Sequence, residues 1–403
     1  MQNVVIEEPY EFIPPSYSNW WPALIQLYLS RYLRKVYGIT SVECRDVQRL
    51  TKTLDQGHGV LLAPNHCRFS DPLVLGILSR KINRHVHTMA SWHLFKQDRL
   101  IHFMARRMGA FSIYREGVDR LALSTAIDIL ANAQRPLVVF AEGAVSRHND
   151  QLMPLMDGTA FIARQAARRR KKHGDAGGVM VHPIAIRYYF RGDVEATASR
   201  VMETIESHFS WYSQQDQPLL ERIWQIGQAL LSLKEIEYCG TARMGDFYER
   251  VDALTEDTLT RLEKKWQLKE LGDGIVARVK NLRTAIMPEL IHNNLSESER
   301  HEHWQDLATC YYLQQMSHYP RHYVRMSKKN ISEHIIETVE RFEEDFTDQT
   351  TVLGPWHVVI QVGEPIEASG RRERNASTDP IMSGIHNGLT EMLTQLATES
   401  TQM

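Results

Sequence analysis

Residues 60–76 read VLLAPNHCRFSDPLVLG. An apolar run of strand length, a polar loop holding Asn65 and His66, and Asp71-Pro72 ahead of a second apolar run predict strand, loop and helix in that order. Asp71 suits the helix cap and Pro72 the first helical position. The loop that leaves such a strand is where this kind of unit exposes reactive side chains. His66 stands in it, five residues before Asp71. A carboxylate that holds one imidazole nitrogen makes the other a usable base near neutral pH, so the pair is chemically suggestive. Spacing alone decides nothing, because the chain has 18 histidines and the same separation recurs at His93–Asp98 and His301–Asp306.

Outward from this stretch, GVLLAP at 59–64, VHTMAS at 86–91, PLVVFAEG at 136–143 and GVMVHPIAIRYY at 178–189 read as buried strands. Helical patterns follow at 72–80, 94–108, 118–133 and 158–173. Strands alternating with helices predict an α/β fold, a mostly parallel sheet flanked by helices, with function at the loops beyond the strand ends. From about Val194 to Asp348 the texture is polar and helical, and strand texture returns only at 356–365 before a last helix at 379–398. The expected organisation is an N-terminal amphipathic segment at 1–38, a core of 39–193 with 350–403, and a helical insertion at 194–349 ahead of the last strand.

Lys+Arg at 47 against Asp+Glu at 49 leaves the net charge near zero in 403 residues, which argues against a dedicated nucleic-acid binder. Any electrostatic partner must meet a local patch. Cysteines 44, 67, 239 and 310 form no Cys-x-x-Cys pair and read as reduced thiols of a cytosolic protein. The opening MQNVVIEEPYEF lacks the basic-then-apolar order of a secretory signal, and no stretch approaches the ~18–20 apolar residues of a membrane span. Residues 20–37, WWPALIQLYLSRYLRKVY, nevertheless join aromatics and leucines to Arg31, Arg34 and Lys35. That segment is either an interfacial helix or a helix packed on the core with its cations outward. RRRKK at 168–172 reads as a solvated face, with anionic headgroups as the alternative partner. His93 falls at a strand end, and His301 in the exposed polar helix HEHWQDLA. His301 and His303 lie two apart and so do not share a helix face, and no metal site is expected.

Two further blocks single out His66. GAFSIYR at 109–115 reads as a short strand ending in Arg115, and FAEGAVSRHND at 140–150 as a strand end with an acidic, glycine-containing loop. With NHCRFSD before them, VHPIAI at 181–186 after them and GEPI at 363–366, they resemble the glycerolipid acyltransferase family over roughly residues 40–190 and 355–400. The resemblance implies that His66 takes the proton of an acceptor hydroxyl as it attacks an acyl thioester, while Asp71 orients the imidazole. Arg115 matches the position that binds the acceptor's phosphate, and Glu142 and Gly143 match the acidic loop, with Glu142 on polar groups of the acceptor. Asn65, Phe111, Ser146, Arg147 and Gly158 complete the implied substrate site, Gly158 by giving close access at its helix.

The chain departs from the family pattern Phe-Pro-Glu-Gly-Thr-Arg-Ser, reading Phe140-Ala141-Glu142-Gly143-Ala144-Val145-Ser146, with Arg147 as a replacement cation. The implied function is transfer of a fatty acyl group from acyl-CoA or acyl-carrier protein to a lysophospholipid hydroxyl, in phospholipid biosynthesis or remodelling. The implied place is the cytosolic face of a membrane, held peripherally, with no bound cofactor. Alternatives are another acceptor (glycerol-3-phosphate or a non-phosphate lipid), or a catalytically weak docking scaffold on the same fold. Hydrolysis through Ser70 or Ser146 ranks below these, since neither sits in a Gly-x-Ser-x-Gly elbow.

Overall fold

The run at 59–64 forms a strand whose six residues are all buried, as an uninterrupted apolar run requires when helices cover both faces of a sheet. The computed structural model describes residues 6–208, 214–269, 272–292, 294–324, 331–347, 351–370 and 379–400. Its strands are β1 (Ile39–Arg45), β2 (Gly59–Pro64), β3 (His87–Ser91), β4 (Ala110–Ile113), β5 (Leu137–Val138), β6 (Val179–Phe190), β7 (Trp356–Val362) and β8 (Ile366–Glu367). They make one sheet in the order β1-β7-β6-β2-β5-β3-β4, with β8 also on β6. Strands β6, β2, β5, β3 and β4 are parallel, so their carboxyl ends share one edge. Strands β7 and β8 run antiparallel to β6, and β1 runs parallel to β7. The fold is therefore α/β with a mostly parallel sheet.

The first helices are α1 (Trp20–Tyr37), α2 (Val47–Asp55), α3 (Asp71–Lys81), α4 (Trp92–Gln97), α5 (Arg99–Arg107), α6 (Arg120–Asn132) and α7 (Gly158–His173). Alanines 122 and 126 on α6 and 160, 163 and 166 on α7 are buried in the core, where small side chains let these helices lie close to the sheet. Helix α1 packs on α3 through Leu29 and Leu33, and a Cβ at Gly76 would come within 2.7 Å of Leu29 Cδ2. Between β6 and β7 the chain forms α8 (Val194–His208), α9 (Leu219–Cys239), α10 (Phe247–Lys265), α11 (Ile275–His292), α12 (Glu297–Ser317), α13 (Arg321–Val324) and α14 (Ile331–Thr347). Leu259, Leu282, Ile286, Leu307 and Leu313 form a core of their own there. Helix α15 (Pro380–Glu399) follows β8.

The chain divides into two units, Tyr10–Gly192 with Gly354–Met403, and Met1–Pro9 with Asp193–Leu353. Residues 1–38 are thus not a separate piece. Glu7 joins the helical unit by accepting from Trp304 Nε1 at 2.5 Å, whereas α1 belongs to the sheet unit through its buried leucines. The expected junction at 349–350 lies outside the described residues. The helical pattern at 94–108 is two helices, since Asp98 turns extended (φ −156°, ψ 146°) and its carboxylate caps Leu100 and Ile101. The run at 136–143 is strand only at Leu137–Val138, after which the chain turns at Phe140–Gly143 with Gly143 at φ 70°. Strand β1 gave no sequence signal, because a half-exposed edge strand, ITSVECR, carries polar residues.

Candidate active site

His66 lies just past the carboxyl end of β2, where the chain crosses to α3. Helix α3 begins at Asp71 with Ser70 as its cap, one position earlier than the motif suggests. The Asp71 side chain does not cap the helix but turns back into the loop. Its Oδ2 accepts from His66 Nδ1 and from the Arg68 backbone N–H, both at 2.9 Å, and its Oδ1 accepts from the Tyr188 hydroxyl at 2.6 Å. Asp71 is fully buried, so these donors replace the water it has lost. Ser70 Oγ lies 2.9 Å from Tyr188 Oη and supplies the hydrogen bond that this oxygen accepts. Burial and then the Asp71 charge push the Tyr188 hydroxyl well above its usual range, which keeps it a donor. With Nδ1–H directed at Asp71, the lone pair of His66 is on Nε2.

The backbone of His66 is held as firmly as its ring. Its N–H donates to Glu142 Oε1 at 2.6 Å, and its carbonyl accepts from the Ser146 N–H at 2.8 Å and from Ser146 Oγ at 3.2 Å. Its ring stacks on Phe140 with centroids 4.0 Å apart. The turn after β5 therefore grips the histidine from three sides.

This arrangement corrects several expected contacts. Glu142 is buried and both its oxygens are taken by backbone donors, Oε2 by the Met153 N–H at 2.9 Å, so it braces two loops instead of meeting an acceptor. Burial raises its carboxyl to about 7, with the backbone hydrogen bonds opposing and the Asp71 charge adding to the rise. Ser146 spends its hydroxyl on the carbonyls of His66 and His148, and Ser70 on Tyr188, so neither is placed as a hydrolytic nucleophile. Asn65 is buried and pairs with both backbone groups of Ile186, at 3.0 and 2.7 Å, extending the β2–β6 ladder by a side chain. Phe111 is core of β4, with no exposed surface. Apart from its chain neighbours and the backbone of its own helix, nothing lies within 4 Å of where a Cβ would sit at Gly158, so packing does not call for glycine there.

Three other expected residues keep some exposed surface. Arg115 is exposed in the bend after β4, at the edge of the sheet that also carries His66. Gly143, at φ 70°, packs so closely on Met156 that a Cβ would fall 2.4 Å from its methyl. Arg147 is half-buried with its guanidinium over the Phe69 ring at 5.2 Å. Tyr188 and Asn149 went unread. Asn149 repeats on Tyr188 what Asn65 does on Ile186, pairing with both backbone groups at 3.1 and 2.8 Å. Only a long-range partner gives these residues meaning, and the alternation of β6 was the single local sign that Tyr188 shares a side with Ile186.

The other histidine–aspartate spacings do not pair. His93 Nδ1 lies 3.2 Å from Ser91 Oγ while Asp98 caps α5, and Asp306 binds Trp266 Nε1 and Lys265 Nζ. The one such pair that forms, partly exposed His66 on buried Asp71, stands at the carboxyl edge of a mostly parallel sheet. Residues 41–187, which lie within the sheet unit, match the family described as Acyltransferase. No curated protein matches the chain.

Proposed function

We propose that this acyltransferase moves a fatty acyl group from a thioester donor, acyl-CoA or acyl-carrier protein, to a hydroxyl of a lysophospholipid. The observation that carries the reading is the 2.9 Å contact between His66 Nδ1 and the buried Asp71. His66 Nε2 takes the proton of the acceptor hydroxyl as its oxygen attacks the thioester carbonyl, forming the new C–O bond. The tetrahedral intermediate then expels the thiolate by breaking C–S, and the proton on Nε2 passes to sulfur. Asp71 stabilises the imidazolium in between. No acyl-enzyme is required, because the thioester is already activated and the nearby Ser70, Ser146 and Cys67 are buried. Arg115 is assigned to an acceptor phosphate, for which a planar guanidinium is suited. His66→Ala is expected to lower thioester-dependent transfer about 10²–10⁴-fold with melting unchanged, and His93→Ala to leave it intact. Retention of most activity by His66→Ala would falsify the mechanism.

The acceptor's acyl chain resides in a bilayer, and none of the described helices is long and apolar enough to cross one. Peripheral docking on the cytosolic face through α1 is the accompanying proposal. While Leu29 and Leu33 hold α1 on α3, its other face presents Trp20, Leu27, Tyr28 and Tyr32 among exposed Arg31, Arg34 and Lys35. Trp21 packs edge-on against Phe103 at 5.2 Å, joining this face to exposed Leu100 and Ile101 of α5. Each such cation contributes about 1 kcal/mol at an anionic surface, less as salt rises. Leu27→Glu with Tyr28→Glu should release the protein from anionic liposomes without lowering its melting temperature. Sedimentation like the wild type would move the docking surface elsewhere.

A further inference from the structure

Helix α9 carries Leu220, Ile223, Trp224, Gly227, Leu230 and Leu231 at intervals of one, three and four, which sets them along one face for about three turns. Within the helical unit that face does not close against its neighbours. It forms one wall of a cavity of about 380 Å³, towards the lower end of the range for small-molecule sites. Rings supply much of the rest: Phe247 and Tyr248 from α10, Tyr312 and Tyr319 from α12 and the turn after it, and Phe342 from α14. Gly227 leaves its place on the wall unfilled, and a Cβ there would come within 3.3 Å of Phe342 Cζ. Trp224 stays 42% exposed, while Leu231 and Thr255 are buried, so the cavity opens past the tryptophan.

Four charged residues line this cavity, and they do not count equally. Arg321 pairs with Asp252, their side chains 65% and 55% exposed, so water and salt screen both. Asp345 is exposed on α14 and is screened in the same way. Arg341, one turn earlier on that helix, is only 6% exposed. Its Nη2 donates to the Gln315 carbonyl, and its guanidinium lies over the Tyr319 ring, 5.4 Å from the centroid. Among the described residues no carboxylate pairs with it. A guanidinium has five N–H donors, and its charge is costly to bury until an anion meets it. A charge acts several times more strongly in a low-dielectric site than in water, so buried Arg341, not the exposed aspartates, sets the preference of the cavity.

We infer that this cavity is a binding site for a small aromatic carboxylate, its carboxylate on Arg341 and its ring among Trp224, Phe247 and Tyr319. The inference gives the helical unit a ligand of its own and needs no step of the acyl transfer. A planar guanidinium offers a carboxylate parallel N–H donors, and the rings of the walls offer another ring their faces and edges. A fatty acid shares the carboxylate, but its flexible chain loses more rotamer freedom on binding and makes no use of the ring faces. An aromatic cation would bring a second positive charge up to Arg341.

The test is calorimetric titration of the full chain with 2-naphthoate, with its neutral and cationic counterparts 2-naphthalenemethanol and 2-naphthylmethylamine, and with decanoate. The wild type should bind naphthoate, with the alcohol about tenfold or more weaker and the amine weaker still. Arg341→Met keeps an apolar stem and should weaken naphthoate about tenfold to a hundredfold, the size of a lost charge-assisted contact, while the alcohol binds as before. Arg341 also holds the Gln315 carbonyl, so a second variant guards against a failure to fold. Trp224→Ala truncates a ring that is already part-exposed and should weaken naphthoate and the alcohol alike, by about tenfold. No binding of millimolar naphthoate by the wild type, or equal binding of acid and alcohol, overturns the inference. So does tighter binding of the amine or of decanoate than of naphthoate, a loss in Arg341→Met that is the same for acid and alcohol, or unchanged naphthoate affinity in either variant.

Discussion

The loop at 66–71 and helix α12 at 301–306 hold the same spacing, histidine then aspartate five residues on, and only the loop makes a pair. On a helix, positions five apart point about 140° away from each other. His301 accordingly meets Gln305, one turn on, at 3.0 Å, and Asp306 faces inward to Trp266 and Lys265. In the loop the chain bends, so that Asp71 at the start of α3 can reach back to His66. A spacing carries chemistry only through the backbone that closes it.

The largest effect is expected where that pairing breaks directly. Asp71→Asn keeps the shape but removes the charge that steadies the imidazolium, and transfer should fall about 10²–10⁴-fold with acceptor KM little changed. A fall of less than a few-fold would mean that the contact positions the loop and takes no part in the proton transfer.

Next is the brace behind the histidine. Glu142→Gln puts an amide nitrogen against one of two backbone donors, so activity should drop by about tenfold through loosening of His66. Its pH signature is independent of turnover. The Glu142 carboxyl is raised to about 7 from 4.5, so the folded state keeps a proton that the unfolded chain releases. Wild-type stability is free of this penalty below about 4.5, declines as pH rises towards 7, and bears all of it above, on the order of 3 kcal/mol. Melting curves from pH 4 to 8 should show that decline in the wild type and a flatter profile in the variant. Parallel profiles would place the ionisation elsewhere.

The smallest effect on activity belongs to the pair that does not form. Asp306→Ala removes the partner of Trp266 and Lys265, costing about 1–3 kcal/mol of stability in the helical unit while transfer keeps its wild-type rate below the melting range. A selective loss of turnover at unchanged stability would give α12 a role in the reaction.

How much was legible follows the range of each interaction. The buried strand β2, the start of α3 and the α/β alternation are written in runs of a few residues, and helix α7 at 158–173 matches its pattern end to end. His66 and Asp71 were legible because a short loop joins them. Glu142, Ser146, Asn65 and Phe111 were legible as belonging near the site but not in what they do there. Their partners lie up to 121 residues away, and burial turned three of them from ligands into braces and the fourth into core.

The sequence by itself determined the layers of the fold, the place of His66 beyond a strand end and the charge of the 168–172 run, since each is a property of neighbouring residues. Tertiary structure alone decided which aspartate faces which histidine, that Tyr188 from β6 completes the Asp71 shell, and that Arg170 turns inward while Lys172 stays exposed. The reason is common to all three. A buried polar atom takes whichever partner the folded chain brings within about 3 Å, and that choice is made by strand order and helix packing, not by distance along the chain.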